Sequence, residues 1–122
     1  ALELVAGLRS LRGQPLPLLE SNANSASGGL IEAYPAATLK QHGQPHRGYK
    51  RTESKALREE IADYLSQSID LQKYSAEIAA SDHVLDAVLC TLTAMDFLGS
   101  LCSSPTPAGG WSDEGWIWFR SS

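Results

Sequence analysis

The stretch SDHVLDAVLCTLTAMDF, Ser81 to Phe97, decides how the rest of this chain is read. Plotted at 100° per residue, Leu85, Val88, Leu89, Leu92 and Met95 form a broad apolar arc, so the stretch predicts a core helix running from Asp82 to Gly99. Asp82 and Asp86 lie four residues apart near its start, and residues i and i+4 stack on one helical face. Two readings stay open. Ser81 or Asp82 caps the helix and a first-turn carboxylate is favoured by the macrodipole, or the pair forms half of a metal site.

The bulk of the sequence narrows the choice of function. A length of 122 residues suits one domain able to bury a core without staples. Hydrophobic residues make up 43% and charged ones 20%, the balance of a globular chain. The net charge of −4 argues against a strongly basic nucleic-acid coat but leaves an acidic, metal-dependent nuclease open. Cys90 and Cys102 form no CxxC pair and read as reduced, mostly buried thiols of a cytoplasmic protein. The opening ALELVAGLRSLRG carries Glu3 and no basic leader, so it is not read as a signal peptide. No apolar run is long enough to cross a bilayer, so no membrane partner is expected.

Working outward from the Asp82 helix, residues 1–12 predict a short amphipathic helix ending at Gly13. The loop GQPLPLLESNANSASGG follows, with a brief extended piece at Leu16 to Leu19. GLIEAYP predicts a strand, and Pro35 starts a helix that closes at Gly43. QPHRGYKRTES is a loop. SKALREEIADYLSQSI predicts a helix with Leu57, Ile61, Tyr64 and Leu65 on its buried face and its charges solvated. A polar connection leads to the Asp82 helix, and GWIWF is a last strand. Two strands are few for a stable sheet, so either the first loop hides another or a second chain completes it.

IEAYPAATL (Ile31 to Leu39), HRGYK (His46 to Lys50), DHVLDAVLCTLTA (Asp82 to Ala94) and EGWIWF (Glu114 to Phe119) occur in that order. Together they resemble the family catalogued as domain of unknown function 429, predicted ribonuclease-H-like nucleases. The resemblance implies an α/β fold of ribonuclease-H-like type, in which acids from strands and a late helix converge on a divalent metal. Matched residue by residue, Glu32 is the strand acid and Asp86, with Asp82, the helix acids. Mg or Mn is the implied cofactor. The Asp-bearing first strands of the family have no counterpart here, so the chain resembles the C-terminal portion of the domain. On that basis residues 1–122 are expected to form a single domain, a truncated and incomplete ribonuclease-H-like fold with few strands and about four helices.

The chemistry follows from the residue types. Hard divalent cations bind carboxylates plus water and phosphate, and two ions about 4 Å apart stabilise the attacking and leaving oxygens of a phosphodiester. A sheet packed on the apolar arc would bring Glu32 near Asp82 and Asp86, giving candidate catalytic and metal-binding residues; Glu32 reads otherwise as an outward-facing strand residue. Arg47, Tyr49 and Lys50 form the candidate phosphate-binding loop, a basic spot in an acidic chain that reads otherwise as solvated loop charge. His42 and His46 are four apart, but Gly43 and Pro45 break the helix that would align them on a metal. Trp111, Trp116 and Trp118 read as packing residues, with Trp116 and Trp118 also placed to stack on a base. The reading is a metal-dependent nuclease or phosphodiesterase, catalytically incomplete unless another chain supplies an acid. The alternative is a non-catalytic interaction module of the same fold. A homodimer is the expected assembly, and nucleic acid or another phosphodiester the expected ligand.

Overall fold

A computed structural model describes residues 6–8, 10, 13, 16–19, 21, 28–105 and 116–122. The rest of the expected N-terminal helix, most of the Ser- and Asn-rich loop, Trp111 and Glu114 lie outside the described residues; residues 6–8 and 10 are helical.

The described elements run β1 (Glu32–Ala33), α1 (Pro35–Gln41), α2 (Lys55–Leu65), a 3-10 turn (Gln72–Tyr74), α3 (Ser75–Ala80), α4 (Asp82–Leu98) and β2 (Ile117–Trp118). The architecture is mixed α/β. β1 and β2 pair in parallel, with Glu32 opposite Ile117 and Ala33 opposite Trp118. Leu18 bridges Leu30 in parallel, and Cys102 bridges Arg120 antiparallel. The extended piece expected at 16–19 is therefore present and adds its hydrogen bonds beside β1: Leu19 N–H donates to Leu30 O and Leu30 N–H to Pro17 O, both at 2.8 Å. Gly29 permits this approach. A Cβ there would lie 2.5 Å from the Leu19 side chain and 2.8 Å from Pro17 O.

α4 is the central helix, packed on α1, α2 and α3, while α2 also lies against α3. Ser81 caps it, its hydroxyl accepting from Val84 N–H at 3.4 Å. The buried stripe is Leu85, Leu89, Leu92, Thr93, Asp96 and Phe97. Its step of three and four residues is that of one helical face, shifted from the arc expected from sequence: Met95 is 43% exposed. The main core joins Leu39 of α1, Ile61 and Leu65 of α2, Ile78 of α3, Leu85, Leu89 and Leu92 of α4, and Tyr49. A second cluster sets Phe97 against Trp118 and Leu19, with Trp116 and Ile31 beside them. Phe97 and Trp118 meet edge to face, 4.7 Å between centroids. The alternation along β2 leaves Ile117 exposed on the other side of the sheet, next to exposed Glu32.

Further expectations change. Arg58, expected among the solvated charges of α2, is buried because it lies on the helix's buried stripe. α2 ends at Leu65 rather than running to Ile69. The polar connection before α4 contains α3, whose six residues are too few to show a helical period. Cys90 is exposed rather than buried, because it lies off the buried stripe; Cys102 is half-buried and both thiols are free. Among the described residues no helix is long and apolar enough to cross a membrane.

Candidate functional site

The HRGYK loop is built around a buried arginine. Arg58 opens the buried stripe of α2, and only 3% of it is exposed. Its guanidinium donates to three backbone carbonyls: Nε to Ala79 O at 2.8 Å, and Nη1 to Tyr49 O at 2.7 Å and Arg51 O at 2.8 Å. Ala79 lies in the last turn of α3, where the helix dipole favours a cation. One side chain thus ties the loop to two helices. Gly48, at φ 82°, supplies the left-handed turn that carries the chain into Tyr49.

Tyr49 is 1% exposed and packs in the main core. Its hydroxyl donates to Asp86 Oδ1 at 2.8 Å, and the Lys50 ammonium donates to Asp86 Oδ2 at 2.5 Å. Both carboxylate oxygens of Asp86 are therefore occupied by proton donors. Burial, and then the bond to Asp86, push the Tyr49 hydroxyl well above the usual phenol range. The bond to Asp86 raises Lys50 above the ordinary ammonium value, against partial burial, with Asp86, Asp82 and Tyr34 adding to the rise. Lys50 is thus a cation at every physiological pH. Cys90 feels the same carboxylate: although the residue is exposed, partial desolvation by its neighbours first and Asp86 second raise its thiol, while Lys50 opposes them.

The sequence-predicted site residues differ in what they touch. Asp86, Tyr49 and Lys50 meet directly, and Asp82, one turn before Asp86, lies within their field. Arg47 and Arg51 are exposed on the same loop, and neither side chain forms an ion pair among the described residues. Glu32 stands exposed on β1 and makes no side-chain hydrogen bond or ion pair among the described residues. No three His, Cys, Asp or Glu side chains gather around a metal-sized space among the described residues. Carboxylate oxygens are suitable donors for Mg or Mn. A divalent ion at Asp86 would compete with the Tyr49 hydroxyl and the Lys50 ammonium for the carboxylate oxygens, and the Lys50 charge opposes it. In this arrangement the described residues do not fit a preassembled divalent site.

A second polar network escaped the sequence reading. His42, the C-cap of α1, donates from Nε2 to Asp96 Oδ2 at 2.6 Å, and its Nδ1 lies 2.7 Å from the Tyr64 hydroxyl. Arg120 Nη1 donates to Asp96 Oδ1 at 3.2 Å. The Thr38 and Thr93 hydroxyls, 2.7 Å apart, join α1 to α4 beside it. The His42 and Asp96 side chains are 6% and 5% exposed, so a substrate does not reach them. The network is structural, pinning α1, α2 and the segment after β2 to α4. One signal was available: Asp96 falls on the stripe 85, 89, 92, 96, and a carboxylate on a buried stripe needs partners. A cavity of about 70 Å³ near it, lined by Phe97, Ser100, Cys102, Ser104 and Trp118, is too small for a nucleotide. Burial, with Asp96 adding, pushes the Cys102 thiol there up to about 11, which keeps it protonated and unreactive. Trp118 is buried and Trp116 donates from Nε1 to Ser103 O at 3.1 Å, so both act in packing.

No curated protein matches this chain, and no solved structure does. A family model matches residues 7–108, a span that holds the IEAYP, HRGYK and DHVLD segments and all the residues of the Asp86 cluster. That span is most of the chain, and the chain belongs to the family described as Protein of unknown function (DUF429).

Proposed function

We propose that the chain binds phosphodiester anions, the backbone of nucleic acid, on the loop 46–51. It does so as a ribonuclease-H-like module whose helix carboxylate is neutralised from within by Lys50. The observation that carries this reading is the Lys50–Asp86 pair on a loop clamped by Arg58. A preorganised loop loses little entropy on binding an anion. Arg47, Lys50 and Arg51 supply the charge, and an arginine side chain offers a planar fork for phosphate oxygens. Tyr49 and Arg58 position the loop without touching the ligand. When phosphate arrives, Lys50 exchanges one anion for another, and Asp86 keeps its bond from Tyr49.

The spacing of Asp82 and Asp86 on α4 favours a second reading, a metal-dependent nuclease using Mg or Mn with Glu32 as a further acid. In that case a second copy, in a homodimer, is one source of a missing ligand. Binding and cleavage of a labelled oligonucleotide, in EDTA and in Mn²⁺, separate the two. The binding-module reading expects binding to survive EDTA and cleavage to be negligible in Mn²⁺. Robust Mn²⁺-dependent cleavage abolished by Asp86→Asn would establish the enzyme instead.

A further inference from the structure

We infer that α4 carries a second packing face, beyond its buried stripe, and that its occupant is α4 of a second copy of this chain, antiparallel about a two-fold axis at Thr91. The inference is independent of the ligand of the 46–51 loop. At 100° per residue, Val84, Ala87, Val88, Thr91, Ala94, Met95 and Leu98 share an arc of roughly 120° that holds no charged side chain along almost the whole helix. Val84, Ala87, Thr91, Met95 and Leu98 are exposed there, Leu98 by 63%, and Val88 and Ala94 are half-buried. The end of the helix extends the face. Ser100, at φ 59°, turns the chain, and Leu101 N–H donates to Asp96 O at 2.9 Å. That turn folds Leu101, itself exposed, back on Gly99, where a Cβ would lie 3.6 Å from its side chain.

The order of residues along this face selects the occupant. A two-fold contact sets residue i against j and j against i. With the axis at Thr91, residues equally far before and after it meet: Val84 meets Leu98 of the second copy, Ala87 meets Met95, and Val88 meets Ala94. Small thus faces large at both inner positions, which lets the two helices interlock. Parallel pairing would crowd Met95 on Met95 and leave Ala87 facing Ala87 across a gap. The antiparallel direction also lays each positive helix N-terminus beside a negative C-terminus. Two chains of net charge −4 repel, yet no carboxylate lies on the arc, and Asp86 is held on another side by Tyr49 and Lys50. The strip measures roughly 25 Å by 10 Å, short of the about 800 Å² per partner of a standard interface, so the dimer is of micromolar strength.

Sedimentation of the full chain from about 1 to 300 μM tests this, with Met95→Glu and Leu98→Glu as variants on exposed positions. The native chain is expected to pass from monomer to dimer with a Kd of about 1–100 μM, and each glutamate to raise that Kd about tenfold or more. Thr91→Cys, in a Cys90→Ser background, places one thiol of each copy at the axis, within disulfide reach. It is expected to cross-link under diamide, whereas Glu60→Cys, exposed on α2 in the same background, stays largely monomeric. Thermal unfolding of each variant confirms that the fold is intact. A native chain that is still monomeric at about 300 μM overturns the inference. So does a dimer that neither glutamate weakens and that Glu60→Cys cross-links as readily as Thr91→Cys.

Discussion

Arg58→Ala is expected to lower unfolding stability by about 3–5 kcal/mol, the largest loss of any single substitution outside the apolar core. Arg58 answers three carbonyls from three places in the chain, Tyr49, Arg51 and Ala79. Each carbonyl left buried without a donor costs about 1–3 kcal/mol, reduced where water enters the vacated space. A domain of this size has about 5–15 kcal/mol in total, so the variant stands near the edge of folding. Arg58→Lys keeps the charge but loses the fork, and an intermediate loss is expected. Urea denaturation checks both. A loss below about 1 kcal/mol for Arg58→Ala would mean that the carbonyls find other partners and that the loop is not held as described.

Asp96→Ala is expected to cost about 2–4 kcal/mol. It removes the acceptor of His42 Nε2 and the partner of Arg120 at once. The two partners differ in how they tolerate the loss. The Arg120 side chain is 41% exposed and returns to solvent, so Arg120→Ala should cost no more than about 1 kcal/mol. His42 is enclosed and has no such route. A double-mutant cycle between His42 and Asp96 should therefore give a coupling of about 1 kcal/mol or more, and the Arg120–Asp96 cycle a smaller one. Equal couplings would contradict the assignment of the buried pair as the fastening of α1 to α4.

The two networks show what was legible in the sequence. α4 was readable because Ser81 caps it and its apolar residues recur over 17 positions. The Leu16 to Leu19 extension was readable from Pro- and Gly-bounded leucines, and the meeting of HRGYK with Asp86 agrees with motifs already singled out as one family pattern. Arg58 was not readable in its role. Its position on the stripe 58, 61, 62, 65 places it inside, but no local pattern announces that carbonyls from 49, 51 and 79 converge there. Asp96 fails in the same way, since its partners lie 54 residues before it and 24 after it. Long-range polar satisfaction leaves only half of its signature in sequence, a charge where an apolar residue is due. Glu32 is a different case: its motif groups it with Asp82 and Asp86, and β1 presents it to solvent with no side-chain partner among the described residues, so its role rests on the motif alone.

The central claim, that the 46–51 loop binds phosphodiester anions through Arg47, Lys50 and Arg51, is tested most directly by the salt dependence of oligonucleotide affinity. Three cations on a single strand predict that log K falls with log salt at a slope of about −2. Lys50→Ala should lower the affinity and flatten the slope to about −1.4, as one phosphate contact is lost. A slope near zero for the native chain, or one that Lys50→Ala leaves unchanged, would contradict the account.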